Sequence, residues 1–97
     1  VAERSFVYVN LTASAVISAN QNALLHGFLL NAVAATATIQ FFDDITTTNP
    51  ANPITGVITP GAIVVPTFVG PFDLRAYKKG LTVVIATAAA NITVIFV

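Results

Sequence analysis

The chain has 97 residues, 56% of them apolar and 8% charged, and its four basic and four acidic residues cancel to a formal net charge of zero. That length holds one small domain, and that apolar share excludes intrinsic disorder, which needs low hydrophobicity with high net charge. Neutrality argues against a nucleic-acid backbone or an anionic membrane as the main partner, and the lack of cysteine excludes disulfides and zinc–thiolate sites.

The opening "VAERSFVYVN" lacks the basic region, apolar core and small-residue cleavage site of a signal peptide. With no Met in the chain, the expectation is that an initiator Met has been removed ahead of Val1 or that a longer precursor was cut. From there the pattern has period two. "SFVYVNLTA" sets Phe6, Tyr8 and Asn10 on one face and Val7, Val9 and Leu11 on the other. A short strand at "SAVISA" leads to a turn at "NQN". "ALLHGFLLNA" and "ATATIQFF" read as two more strands, the second alternating Thr36, Thr38 and Gln40 against Ala37, Ile39 and Phe41. The stretch "DDITTTNPANP", Asp43 to Pro53, is dense in turn formers and strand breakers and reads as a loop.

Next come a strand at "ITGVIT", a tight turn at Pro60-Gly61, and a strand at "AIVVPTFV", which Pro66 confines to an edge or a bulge. "GPFDLRAYKKG" holds four of the eight charged residues and reads as a connection bounded by glycine. "LTVVIAT", the turn "AAAN" and "ITVIFV" then predict a closing hairpin. About eight short strands and no helix point to an all-β chain: an antiparallel β-sandwich, jelly-roll-like, with residues 1–97 as a single domain.

Two uncharged runs, Ala23 to Phe42 and Leu81 to Val97, raise the question of a membrane span. His26, Asn31, Gln40 and several Thr interrupt the first; the second is short and rich in Val, Ile and Thr, which favour strands. No membrane is therefore expected. "LTVVIA" and "ITVIFV" are apolar on both faces and carry no charge, a hazard at any sheet edge. The expectation is a chain whose surface other subunits cover.

Candidate sites are few. His26, the sole histidine, has only Glu3, Asp43, Asp44 and Asp73 as carboxylate partners and reads as a structural or interface residue. Ser5, Ser14 and Ser18 lack a nucleophile-elbow context. Asp43-Asp44 with Thr46–Thr48 and Asn49 offers oxygens to Ca²⁺ but matches no EF-hand spacing, and Asp also suits a strand end. No catalytic, cofactor or metal residues are assigned. Asn10-Leu11-Thr12 and Asn91-Ile92-Thr93 match the glycosylation sequon, yet both fall in predicted strands and read as chance matches. Arg75, Lys78 and Lys79, offset by Asp73, make a weak basic patch around Tyr77. A solvated turn is the favoured reading there, with a protein contact left open.

A short "TAS" segment, "LLHGFLLNA", "ATATIQFFDD", a variable loop, "ITGVITPGA", "KKGLTVVIAT" and a final "NITVIFV" resemble a group of small all-β proteins encoded near structural genes in tailed-phage genomes. The resemblance covers roughly Thr12 to Val97 and its motifs are structural; the extended "TTTNPANPIT" loop and the scarcity of charge depart from the pattern. It implies a non-enzymatic virion protein on the capsid surface, of the decoration or cement type. Its partners would be the major capsid protein and itself, a trimer being favoured because cement proteins commonly sit at three-fold positions. The alternative is a tail, baseplate or fibre module binding a host-surface glycan or protein, which the lack of Trp and the presence of only two Tyr disfavour. Subunit contacts are expected from Phe6, Tyr8, Phe68, Phe72, Tyr77 and Phe96, since aromatic residues anchor interfaces. Arg75, Lys78 and Lys79 would add polar contacts.

Overall fold

A computed structural model describes residues 6–97; Glu3, Arg4 and Ser5 lie outside the described residues. Eight strands form two antiparallel sheets, with no helix among the described residues: β1 (Val7–Leu11), β2 (Ala15–Ser18), β3 (Ala23–Val33), β4 (Thr38–Asp43), β5 (Thr67–Val69), β6 (Leu74–Ala76), β7 (Leu81–Ala86) and β8 (Ala90–Phe96). One sheet runs β1-β8-β3-β5, with β6 on the same side of β3 as β5; the other runs β2-β7-β4.

The two sheets face each other across a core that alternation dictates. Leu25, Phe28 and Leu30 of β3 with Ile92 and Val94 of β8 come from the larger sheet, and Ile39, Phe41, Leu81 and Val83 from the smaller. Phe28 and Phe41 meet at a ring-centroid distance of 5.1 Å, and each buried side chain of this size is worth about 1.5–3 kcal/mol. β3 keeps its apolar residues inward over eleven positions because two bulges reset its register, with His26 and Asn31 as the extra residues.

Two irregular segments complete the sheets. Residues 52–58 lie along the outer edge of β4, through Asp43 N–H to Asn52 C=O (2.8 Å), Ile54 N–H to Phe41 C=O (2.9 Å) and a reciprocal Ile39–Ile58 pair (2.9 and 2.8 Å). Residues 63–76 run antiparallel to β3 along its whole length, from the Ile63–Val33 pair through β5 to β6, and are interrupted at Pro66 and Pro71. Proline lacks the N–H a ladder needs, so the pairing breaks where prolines stand.

Three sequence expectations change. The "ITGVIT" stretch forms no regular strand; it meets β4 through the isolated Ile58 bridge and through hydrogen bonds of Ile54 and Thr55 with Phe41 and Gln40. The segment read as a solvated connection contains β6. β7 and β8 are not a hairpin, because they belong to different sheets. Thr87, with φ of +67°, turns the chain between them, and its hydroxyl donates to the Thr36 and Ala86 carbonyls. Both apolar windows thereby become central strands, each flanked on two sides. Pro66 lies on the sheet edge at an interruption, as its ring requires.

Candidate functional site

The most developed surface is the outer face of the larger sheet. The register of β1, β8 and β3 aligns Tyr8 with Ile95 and Gly27, and Asn10 with Thr93 and Leu29. Phe68 of β5 stands opposite Leu29. Its ring covers Gly27, where an added Cβ would come within 2.8 Å of the Phe68 ring and of the Val69 carbonyl oxygen. Glycine is thus needed at position 27 so that an aromatic ring can lie flat on the sheet.

A polar patch crosses this face. Asn10 Nδ2 donates to Asn91 Oδ1 (2.8 Å) and Thr93 Oγ1 (3.2 Å), and Asn31 Nδ2 donates to the same two oxygens (3.2 and 3.0 Å). Three strands are tied by side chains as well as by backbone. The two sequon asparagines are therefore hydrogen-bonded to each other in the middle of a sheet. Their signal in the sequence was position: Asn10 and Thr93 fall on the outward beat of otherwise apolar strands. Below the patch lies an open apolar depression of about 370 Å³, lined by Thr12, Ala32, Ala34, Ile63, Ala89 and Asn91 among others.

Of the aromatic residues expected at contacts, Tyr8 (72% exposed), Tyr77 (69%), Phe68 (44%) and Phe6 (39%) are on the surface. Phe72 and Phe96 instead turn inward and pack against the core, Phe72 within 6.1 Å of Phe28. Phe6 stacks on His26 at a centroid distance of 4.2 Å, at the bulge of β3. Ser14 acts as a strand mimic: Ile85 N–H donates to its Oγ (2.9 Å), and that hydroxyl donates to Ile85 C=O (3.2 Å).

Asp43 and Asp44 are structural. Asp43, at the end of β4, accepts the backbone N–H of Lys78 (2.8 Å), Lys79 (2.8 Å) and Gly80 (3.3 Å). Burial pushes its carboxyl up, but the Lys79, Lys78 and Gly80 donors, together with the Lys78 charge, outweigh burial and hold it below the ordinary carboxylate range. Asp44 accepts from Ala51 and Ile45 (both 2.8 Å); those donors, against the opposing effect of burial and aided by the Lys79 ammonium 3.6 Å away, hold it low as well. The carboxylate oxygens are directed at amides of their own fold, and no group of three His, Cys, Asp or Glu converges among the described residues. Arg75 is half-buried on β6, whereas Lys78 and Lys79 are exposed on the turn that Asp43 holds.

No helix of the described residues is long and apolar enough to cross a membrane. Compared with protein-family models, curated proteins and solved structures, the chain matches none.

Proposed function

We propose that this chain is a non-enzymatic structural protein of a tailed-phage virion, a decoration or cement subunit that stabilises the head by burying apolar surface against the major capsid protein and against its own copies. The observation that carries the reading is the outward display of Tyr8, Phe68, Val64, Val65 and Tyr77 on a molecule with 8% charged residues. Each Å² of apolar surface removed from water contributes about 25 cal/mol, and few charges stand in the way of desolvation.

Topology supports the same reading. With residues 52–58 counted as a fifth position and 63–76 as a sixth, the sheets run 1-8-3-6 and 2-7-4-5. Counted so, the order supports reading the sandwich as a jelly roll built from two Greek keys, an architecture that recurs in viral capsid domains and in lectins. Fold alone carries an analogy rather than a function, so the exposed apolar surface bears the weight.

The polar patch favours a second reading, a fibre or baseplate module that binds a glycan through Asn10, Asn31, Asn91 and Tyr8. It stands behind the first, because both Asn10 and Asn31 amide nitrogens already donate within the patch. Adding the purified protein to preformed undecorated heads separates the two. Saturable attachment in hundreds of copies per particle is the expected result. A protein that ignores heads yet holds a glycan on an array would sink the decoration reading.

A further inference from the structure

Two facing sheets have four edges, and each exposes backbone groups able to pair with a foreign strand unless something blunts it. Three of the four are blunted here. The edge beyond β4 is covered by residues 52–58, which include Pro53 and Gly56 and pair only at isolated bridges. The edge beyond β3 is the 63–76 segment, broken by Pro66 and Pro71 and carrying Arg75. β2 is four residues long and bulged between Val16 and Ser18.

β1 is different. Its five residues, "VYVNL", hold five consecutive register pairs with β8 and contain no charge, no proline, no glycine and no bulge. On its other side it has no strand neighbour among the described residues. Its inward row is also open at the side of the sandwich: Val7 is 49% exposed, and Val9 and Leu11 are only half-buried.

We infer that β1 pairs antiparallel with β1 of a second copy across a two-fold axis, joining two larger sheets into one. The sequence of the strand is self-complementary for this. With Val9 opposite Val9 of the second copy, Val7 meets Leu11 and Tyr8 meets Asn10. Inward apolar residues then meet inward apolar residues, and the outward positions bring the polar end of Tyr8 beside the amide patch. Slipping by one residue would set Tyr8 and Asn10 against the inward row. No charge is buried in the process, and the open row of Val7, Val9 and Leu11 is covered. A two-fold pair is a closed, isologous arrangement and replaces the three-fold one that the resemblance implies.

Sedimentation of the wild-type chain should show a species of twice its 10.1 kDa mass that dissociates on dilution. Since the chain has no cysteine, Val9→Cys gives a direct geometric readout. Opposed Cα atoms in an antiparallel pair lie about 4.5–5.5 Å apart, within disulfide range, so mild oxidation should give a covalent dimer. Tyr8→Cys, diagonally offset, should cross-link poorly. Val9→Lys and Val9→Glu should each weaken the dimer ~10-fold or more by setting like charges face to face, and mixing the two should restore it. That restoration also shows that both variants are folded. A monomer at tens of micromolar, a trimer, or a dimer that Val9→Cys does not capture would overturn the inference. A monomer that protects β1 from hydrogen exchange only when bound to heads would overturn it too, and would assign the edge to a strand of the capsid protein. Shell attachment is a separate matter. A dimer that ignores heads removes the decoration reading alone, and a head-binding monomer removes the pairing alone.

Discussion

Asp43 joins places far apart in the chain: its carboxylate sits at the end of β4 and holds the three amides that lead into β7. Replacing it with Ala leaves those donors without an acceptor in a buried place, and we expect a loss of about 2–3 kcal/mol in denaturant unfolding. Asp43→Asn keeps one oxygen and should lose less. The pH dependence follows from the same bonds. A carboxyl held low in the folded state contributes stability that is fully present above its unfolded pKa of about 3.9 and is lost as pH falls through the lower folded value. Acid should therefore destabilise the protein below about pH 4, and Asp43→Asn should flatten that slope; a variant with the wild-type acid profile would remove Asp43 from this role. Gly80 beside it admits no side chain, because a Cβ would collide with the Ser18 carbonyl oxygen. Gly80→Ala should cost about 1–3 kcal/mol, as overpacking does, measured in the same titration. Little of this was legible in the sequence. Asp43-Asp44 looked like a strand end or an ion loop, and nothing local tells a carboxylate that its partners lie some 35 residues on.

The strands were legible where alternation is strict and breakers are absent. β1, β3, β4, β7 and β8 fall on the segments their period-two pattern marks, and Thr38 and Gln40 alternate with the buried Ile39 and Phe41 as read. The segment from Ile54 to Ala76 was not legible, since six of its residues are Gly or Pro and its pairing depends on what β3 and β4 offer as edges. The pairing of β7 with β8 was misread because neighbours joined by a short turn usually form a hairpin, whereas this turn leads into the other sheet. Two predictions belong at this scale. Ile58→Pro removes the N–H that donates to Ile39 C=O and uncovers the β4 edge, so it should cost about 2–3 kcal/mol and raise thioflavin-positive aggregation. Converting Arg75, Lys78 and Lys79 together to Ser should cost under about 1 kcal/mol, because Asp43 grips backbone rather than side chain, and Asp44, though buried, keeps its Ala51 and Ile45 amide donors when the exposed Lys79 ammonium is removed. If that triple variant also binds heads normally, the basic residues are solvated and nothing more.

As a whole the molecule is a flat body with extents of 40 × 31 × 18 Å, its broad face carrying Tyr8, Phe68 and the asparagine patch. Contacts made through such a face draw on apolar burial far more than on charge. Attachment to heads should accordingly hold steady between about 0.05 and 0.5 M NaCl, a range over which charge-driven binding is strongly screened. A steep loss with salt would shift the contact to Arg75, Lys78 and Lys79.

The central place of β8 also governs the order in which this sheet can come into being. β1 pairs with β8 and not with β3, so the ladder that joins the first and third strands is completed only when residues 90–96 arrive between them. A nascent chain halted before Ala90 has an inward row on β3 with no neighbour on one flank, and β1 has nothing to pair with. Such a fragment should stay protease-sensitive, and the complete chain should fold slowly, on the millisecond-to-second scale of sheets closed by distant partners.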